Sequence, residues 1–186
     1  MKREDFSVLF FDRKRVFHRW KRGEMIKASI VCEDTKLRYQ KKIIWTGRGI
    51  YWTVKGSFWG NYLKCGIYNE REELVAEIKN NPLKSMIAPC QKIYINGKKV
   101  TEIQRKMSLQ IGYEMKNMPY IIEVDQMGDG YFMKKKGEMI MEVHEKYEGS
   151  VRKDYDLLVK EEDMVLGLCV LIAMDMSNRQ LSRSID

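Results

Sequence analysis

Three sets of residues in this 186-residue chain have the types and spacing to act on another molecule. The first is RKRVFHRWKR, in which Arg13, Lys14, Arg15, Arg19, Lys21 and Arg22 are interleaved with Val16, Phe17 and Trp20. Cations alternating with aromatic rings suit anionic lipid head groups at an interface, and equally suit single-stranded nucleic acid. The second is Lys134-Lys135-Lys136 beside Gly137, with Arg152 and Lys153 nearby in sequence. A hairpin tip of this kind can hold a phosphate, or can stand solvated with no ligand at all. The third is the glutamate trio Glu77, Glu102 and Glu142, each inside a V/I-x-E-I/V quartet. Paired carboxylates would do acid–base work. These recur instead at one outward strand position, as solvated surface residues do.

Other chemistry is excluded by count or spacing. His18 and His144 are too few for a His-rich metal site. Cys32, Cys65, Cys90 and Cys169 are scattered, with no C-x-x-C pair. No G-x-S-x-G, H-E-x-x-H or phosphate-binding P-loop occurs, and Gly47-Arg48-Gly49 lacks the third glycine and the helix pattern of a dinucleotide fingerprint. The sequence predicts no catalytic residue, no metal and no cofactor, and so no enzyme.

Composition bounds the elements that must carry these residues. With 44% hydrophobic and 32% charged residues and no linker-like stretch, the chain reads as one domain over 1–186. Its net charge of +8 is polarised: residues 1–42 hold 13 Lys/Arg against 6 Asp/Glu, a net of +7. A segment so basic attracts lipid or nucleic acid phosphates, or forms a strand of alternating charge. The apolar run near the N-terminus is six residues long, too short for a signal-peptide core. The expectation is a cytoplasmic protein with reduced thiols, peripheral to the membrane if it meets one.

The apolar segment MVLGLCVLIAMDM, Met164–Met176, decides the architecture. As a helix it reaches about 20 Å, short of the roughly 30 Å of a hydrocarbon core, so no transmembrane span is predicted. Glu161, Glu162 and Asp163 precede it, where negative charge favours a helix start. It has no polar stripe, so it must be covered on every side, with Gly167 marking a place where another backbone packs close. Residues 177–186 read as a short polar tail.

The cover is supplied by short strands. Val75-Ala76-Glu77-Ile78, Val100-Thr101-Glu102-Ile103 and Ile140-Met141-Glu142-Val143 each follow a turn: Asn69–Glu72, Asn96-Gly97 and Lys136-Gly137. Asn-Gly between alternating strands is the strongest short-range hairpin signal. Alternation places Leu74, Ala76 and Ile78 on one face, and likewise Met139, Met141 and Val143. Trp45, Trp52, Phe58 and Trp59 are expected to pack inside. Tyr51–Ile78 also echoes Tyr120–Val143, which implies a duplicated antiparallel meander. Many short strands about one all-apolar helix predict a mainly β fold: a closed antiparallel β-barrel around a buried C-terminal hydrophobic helix.

The hairpins IYINGKKVTEI and KKKGEMIMEVHEK, the strand YDLLVKEED and the apolar MVLGLCVLIAMD ending on Asp175 resemble the tubby C-terminal-like superfamily. That superfamily includes LURP-one-related proteins and phospholipid scramblases. The resemblance covers about residues 45–176. It implies about twelve strands with an internal repeat around the helix, and a non-enzymatic protein that binds phosphoinositide-type head groups through surface Lys and Arg. The acids Asp154, Asp156, Glu161, Glu162 and Asp163 stand where scramblases place a calcium segment. They alternate with Tyr155, Leu157 and Val159 like an ordinary strand, so no calcium site is carried over. Two other expectations stand beside lipid binding: a nucleic-acid module using Arg13–Arg22, and a scaffold for a protein partner with no small ligand. Whether residues 1–42 join the barrel is left open by the sequence.

Overall fold

A computed structural model of the protein describes residues 25–34, 38–46, 49–59, 62–106, 112–125, 130–147 and 153–183. Twelve strands follow one another: β1 (Met25–Cys32), β2 (Arg38–Trp45), β3 (Ile50–Trp59), β4 (Tyr62–Tyr68), β5 (Leu74–Asn80), β6 (Cys90–Ile95), β7 (Lys98–Arg105), β8 (Tyr113–Met115), β9 (Tyr120–Val124), β10 (Gly130–Lys135), β11 (Glu138–Tyr147) and β12 (Lys153–Lys160). A single 3-10 turn, Glu161–Asp163, then leads into α1 (Met164–Arg183). Each strand pairs antiparallel with its chain neighbour, and β1 closes the ring against β12, from Met25 opposite Lys160 to Ile30 opposite Tyr155. The expected closed barrel with a helical plug is therefore the fold. Barrel strands begin at Met25, so the second half of the basic N-terminal segment is wall.

Turn chemistry sets the hairpins. Asn96 and Gly97, and again Lys136 and Gly137, all have positive φ, as a two-residue type I′ turn requires. Each repeated quartet also carries a β-bulge at its first residue. Ile67 and Tyr68 face Ala76 and Leu74, skipping Val75; Ile93 and Tyr94 face Thr101 and Lys99, skipping Val100; Met133 and Lys134 face Met141 and Met139, skipping Ile140. Extra residues of this kind bend a strand and raise its twist, which a closing sheet needs. They also break alternation. Leu74 is 49% exposed, outside the face of Ala76 and Ile78, while Ile140 and Met141 are both buried. The sequence echo falls on β3–β5 and β9–β11, six strands apart in a ring of twelve.

The inward positions form one core around α1, which is buried from Leu166 through Ser177. Outward positions carry Lys64, Glu77, Lys79, Lys146 and Asp156, the inverse of a barrel whose outer wall faces hydrocarbon. Among the described residues, no helix is long and apolar enough to cross a membrane.

Two expectations about α1 are corrected. It does not end at Met176: Ser177–Arg183 continue the helix, because Asn178 and Arg179 find partners at the far mouth of the barrel. Gly167 meets a side chain rather than a backbone. A methyl there would lie 2.7 Å from Cγ2 of Val159 and 3.2 Å from Sδ of Met141. Alanine normally gains about 1 kcal/mol over glycine in a helix, whereas overpacking costs about 1–3 kcal/mol. Gly167→Ala should therefore lower the melting temperature. Combined with Val159→Ala, it should cost clearly less than the sum of the two single effects. Additive losses in thermal melts would remove this contact.

Candidate anion-binding surface

Alternation puts charge inside as well as outside. In β2 the register that buries Tyr39, Ile43 and Trp45 also turns Lys41 inward, at 0% exposure. Such a charge needs a partner. Lys41 Nζ lies 3.2 Å from Asp175 on α1 and 3.5 Å from Asp34. Asp175 also accepts hydrogen bonds from Tyr39 (2.7 Å) and Tyr155 (2.6 Å) and pairs with Arg179 Nε at 3.1 Å. Arg179 reaches on to Asp34, onto which the Cys32 thiol donates at 2.8 Å. Burial alone would push the Asp175 carboxyl up. Lys41, Arg179 and the two phenols outweigh it and hold the carboxyl at about 2.

A second chain adjoins it. The Tyr113 hydroxyl donates to Asn178 at 2.7 Å, Asn178 donates to Tyr131 at 3.1 Å, Tyr131 donates to Glu145 at 3.0 Å, and Lys153 closes on Glu145 at 2.7 Å. Desolvation raises Tyr131 and Tyr155 above the ordinary phenol range and lifts Tyr113 to about 12. The same cause raises the Cys65 and Cys169 thiols, so neither is an available nucleophile. Asp34, Asp175 and Glu145 each face a base, and what the network does is lock α1 at the barrel mouth. Sequence phase carried a signal for it: Lys41 is in step with Tyr39 and Ile43, Glu145 with Met141 and Val143, and Asp175 interrupts the apolar run.

The glutamate trio faces outward, as expected, but is not simply solvated. Glu77 is held between Lys64 (2.8 Å) and Lys79 (2.7 Å), which lower its pKa. Glu142 bonds to His144 at 2.7 Å. Glu102 is only 6% exposed, covered by Lys84 from the β5–β6 connection and by Lys99 at 2.7 Å; their hydrogen bonds hold it at about 2. The three occupy different strands and form no catalytic pair.

The predicted anion sites fare unequally. Arg13, Lys14, Arg15, Arg19, Lys21 and Arg22 lie outside the described residues, as does Arg152. Lys134, Lys135 and Lys136 do form the β10–β11 tip, yet they do not converge. Lys134 pairs with Glu123 at 2.6 Å, Lys135 lies 5.2 Å over the Tyr120 ring with Asp163 and Glu162 acting on it, and only Lys136 stands at the exposed turn. Trp45 and Trp52 pack edge to face at 5.7 Å, as inward residues.

Register assembles a different cationic surface. Arg38 stands opposite Ser57, Ser57 opposite Lys64, Lys64 opposite Lys79, Lys79 opposite Lys92, and Lys92 opposite Glu102. Four cations thus lie in one lateral row across β2–β6, spanning about 19 Å at the usual strand spacing. Lys84, Lys99 and Lys116 extend it around Glu102. Like charges directly opposite one another destabilise a sheet, and here Lys64–Lys79–Lys92 are consecutive neighbours tempered by Glu77. The row lies toward the end where α1 terminates, because it adjoins the β1–β2, β3–β4 and β5–β6 connections. Comparison with known proteins finds no matching family model, no matching curated protein and no matching solved structure.

Proposed function

We propose that this barrel is a non-enzymatic protein that binds anionic phospholipid head groups at a membrane surface. The observation that carries this reading is the row Arg38, Lys64, Lys79 and Lys92 with its extension around Glu102. A broad cationic face concentrates anionic lipid, at about 1 kcal/mol per Lys or Arg near the surface. The resemblance to tubby-like proteins points to the same ligand class. In favour of the non-enzymatic part, Asp175 and Glu145 are spent on Lys41 and Lys153.

Nucleic acid is the competing polyanion. Single-strand binders need open aromatic platforms. Tyr94 and Tyr68 near the row are instead covered by Lys79 at 4.8 Å and Lys55 at 5.3 Å. The test is co-sedimentation with vesicles of phosphatidylcholine alone or with added phosphoinositide, at physiological salt and with competing single-stranded DNA. Lys79→Glu with Lys92→Glu should weaken anionic-vesicle binding by about 30-fold or more. Lys134→Glu should change it little. Pelleting that DNA erases would make the surface a general polyanion binder. Loss on reversing Arg13–Arg22 with no loss on reversing the row would move the site to the N-terminal segment.

A further inference from the structure

The β5–β6 connection, residues 81–89, is held rigidly and still shows two large aliphatic side chains to solvent. Ser85 is the staple: its amide donates to the Asn81 carbonyl at 2.8 Å, its hydroxyl bonds Asn80, and it receives the Cys90 amide at 3.0 Å. Asn81 donates to Cys90 at 2.7 Å, Arg105 donates to Pro89 at 3.0 Å, and Ala88 is buried at 1%. A 3-10 turn over Lys84–Met86 fills the centre. With its backbone so fixed, Leu83 is 80% exposed and Ile87 77% exposed. They flank the 3-10 turn as its two caps, so both are presented by the same short loop. Lys84 lies between them in sequence and bends back to Glu102, beside Lys92, Lys99 and Lys116.

We propose that Leu83 and Ile87 form a wedge that inserts into the acyl boundary of an anionic bilayer while the surrounding lysines engage the head groups. This deepens the lipid-surface reading above and rests on it. An apolar tip next to a cluster of lysines matches a membrane interface in both layers: aliphatic side chains find hydrocarbon, and ammonium groups snorkel to phosphate. The loop lies at the same end as the cation row, so one orientation of the barrel serves both. It also predicts shallow docking, because β5 and β6 return directly into the wall on either side.

The test uses the full chain with vesicles of phosphatidylcholine and phosphatidylserine. Leu83→Ser with Ile87→Ser removes the wedge from exposed positions, so the circular dichroism spectrum should stay unchanged. Vesicle partitioning should fall about 100-fold. In parallel, Leu83→Cys carries an environment-sensitive fluorophore; the four native cysteines are buried, which directs labelling to position 83. Its emission should shift to the blue on anionic vesicles and resist iodide quenching. A label at Ile121→Cys, 62% exposed on β9 near the opposite end, should not respond. If wild type binds and Lys79→Glu/Lys92→Glu does not, but label 83 stays wet and the double serine variant binds normally, the wedge is refuted and the surface reading stands. If wild type ignores these vesicles and phosphoinositide vesicles alike, both fail together. A blue shift produced by a protein without lipid would make the pair a protein interface and overturn the wedge.

Discussion

Ending the chain after Asp163 abolishes the cooperative fold. Leu168, Val170, Leu171, Ile172, Met174 and Met176 are exposed by 1% or less, and every one of them faces barrel wall. At about 1.5–3 kcal/mol per fully buried aliphatic side chain, these six contribute about 9–18 kcal/mol. A whole domain is stable by only about 5–15 kcal/mol. A ring of twelve strands without its plug would enclose a hollow apolar interior, which close packing forbids. The truncated protein should show no sharp thermal transition, bind a hydrophobic dye such as ANS, and aggregate on concentration. A chain of residues 1–163 that melts like the parent would refute the helix as core.

Replacing Asp175 by alanine costs about 3–5 kcal/mol, the loss expected when one member of a buried ion pair is removed and its partner stays behind. The stranded partner is Lys41, which has no exposed surface and keeps Asp34 at 3.5 Å and the Tyr39 and Tyr155 ring faces. Tyr39 and Tyr155 lose their acceptor as well. For a chain of this size the melting temperature should fall by about 10 °C or more. Lys41→Met combined with Asp175→Leu should recover part of that loss, because it removes both charges and fills the space while Tyr39 and Tyr155 still lack their acceptor. The pair also gives the fold an acid limb. The Asp175 carboxyl is held at about 2 against an ordinary 3.8, so its contribution is complete above about pH 4 and disappears as pH falls toward 2. Glu102, held at about 2 against 4.5, is lost over an overlapping range. Asp175→Asn should remove the first share of acid sensitivity and leave the second. A melting temperature for Asp175→Ala within a degree of the parent would mean the network does not exist.

The same network bears on how the surface works. Arg179 and Asn178 tie the end of α1 to the rim where the cation row and the Leu83–Ile87 loop sit. On the proposed reading, those contacts hold the helix end beside β2, the strand that supplies Arg38 to the row. The Lys134–Lys136 tip lies at the other end, where Glu123 pairs with Lys134 and Asp163 and Glu162 act on Lys135.

The sequence by itself determined the hairpin strands of the two echoing halves, their turns and the plug, because these depend on neighbours within a few residues, while β1 and β2 in the basic N-terminal segment stayed open. Asn96-Gly97 and Lys136-Gly137 place their own hairpins. The repeated V/I-x-E-I/V quartet was legible as a strand, although not as the seat of a bulge. An apolar run too short to span a membrane and lacking a polar face had to be enclosed, which led directly to a barrel. What only the tertiary structure decided is which residues meet. Arg38, Lys64, Lys79 and Lys92 are 13 to 54 positions apart and become a row solely through register, where a slip of one residue would turn any of them inward. The same register made Lys41 an interior charge and so gave Asp175 its task, and it extended α1 past Met176 into a polar mouth that no local pattern describes. Hydrophobic periodicity is written along the chain, whereas a cationic surface is written across strands, and cross-strand distance is fixed only when the barrel closes.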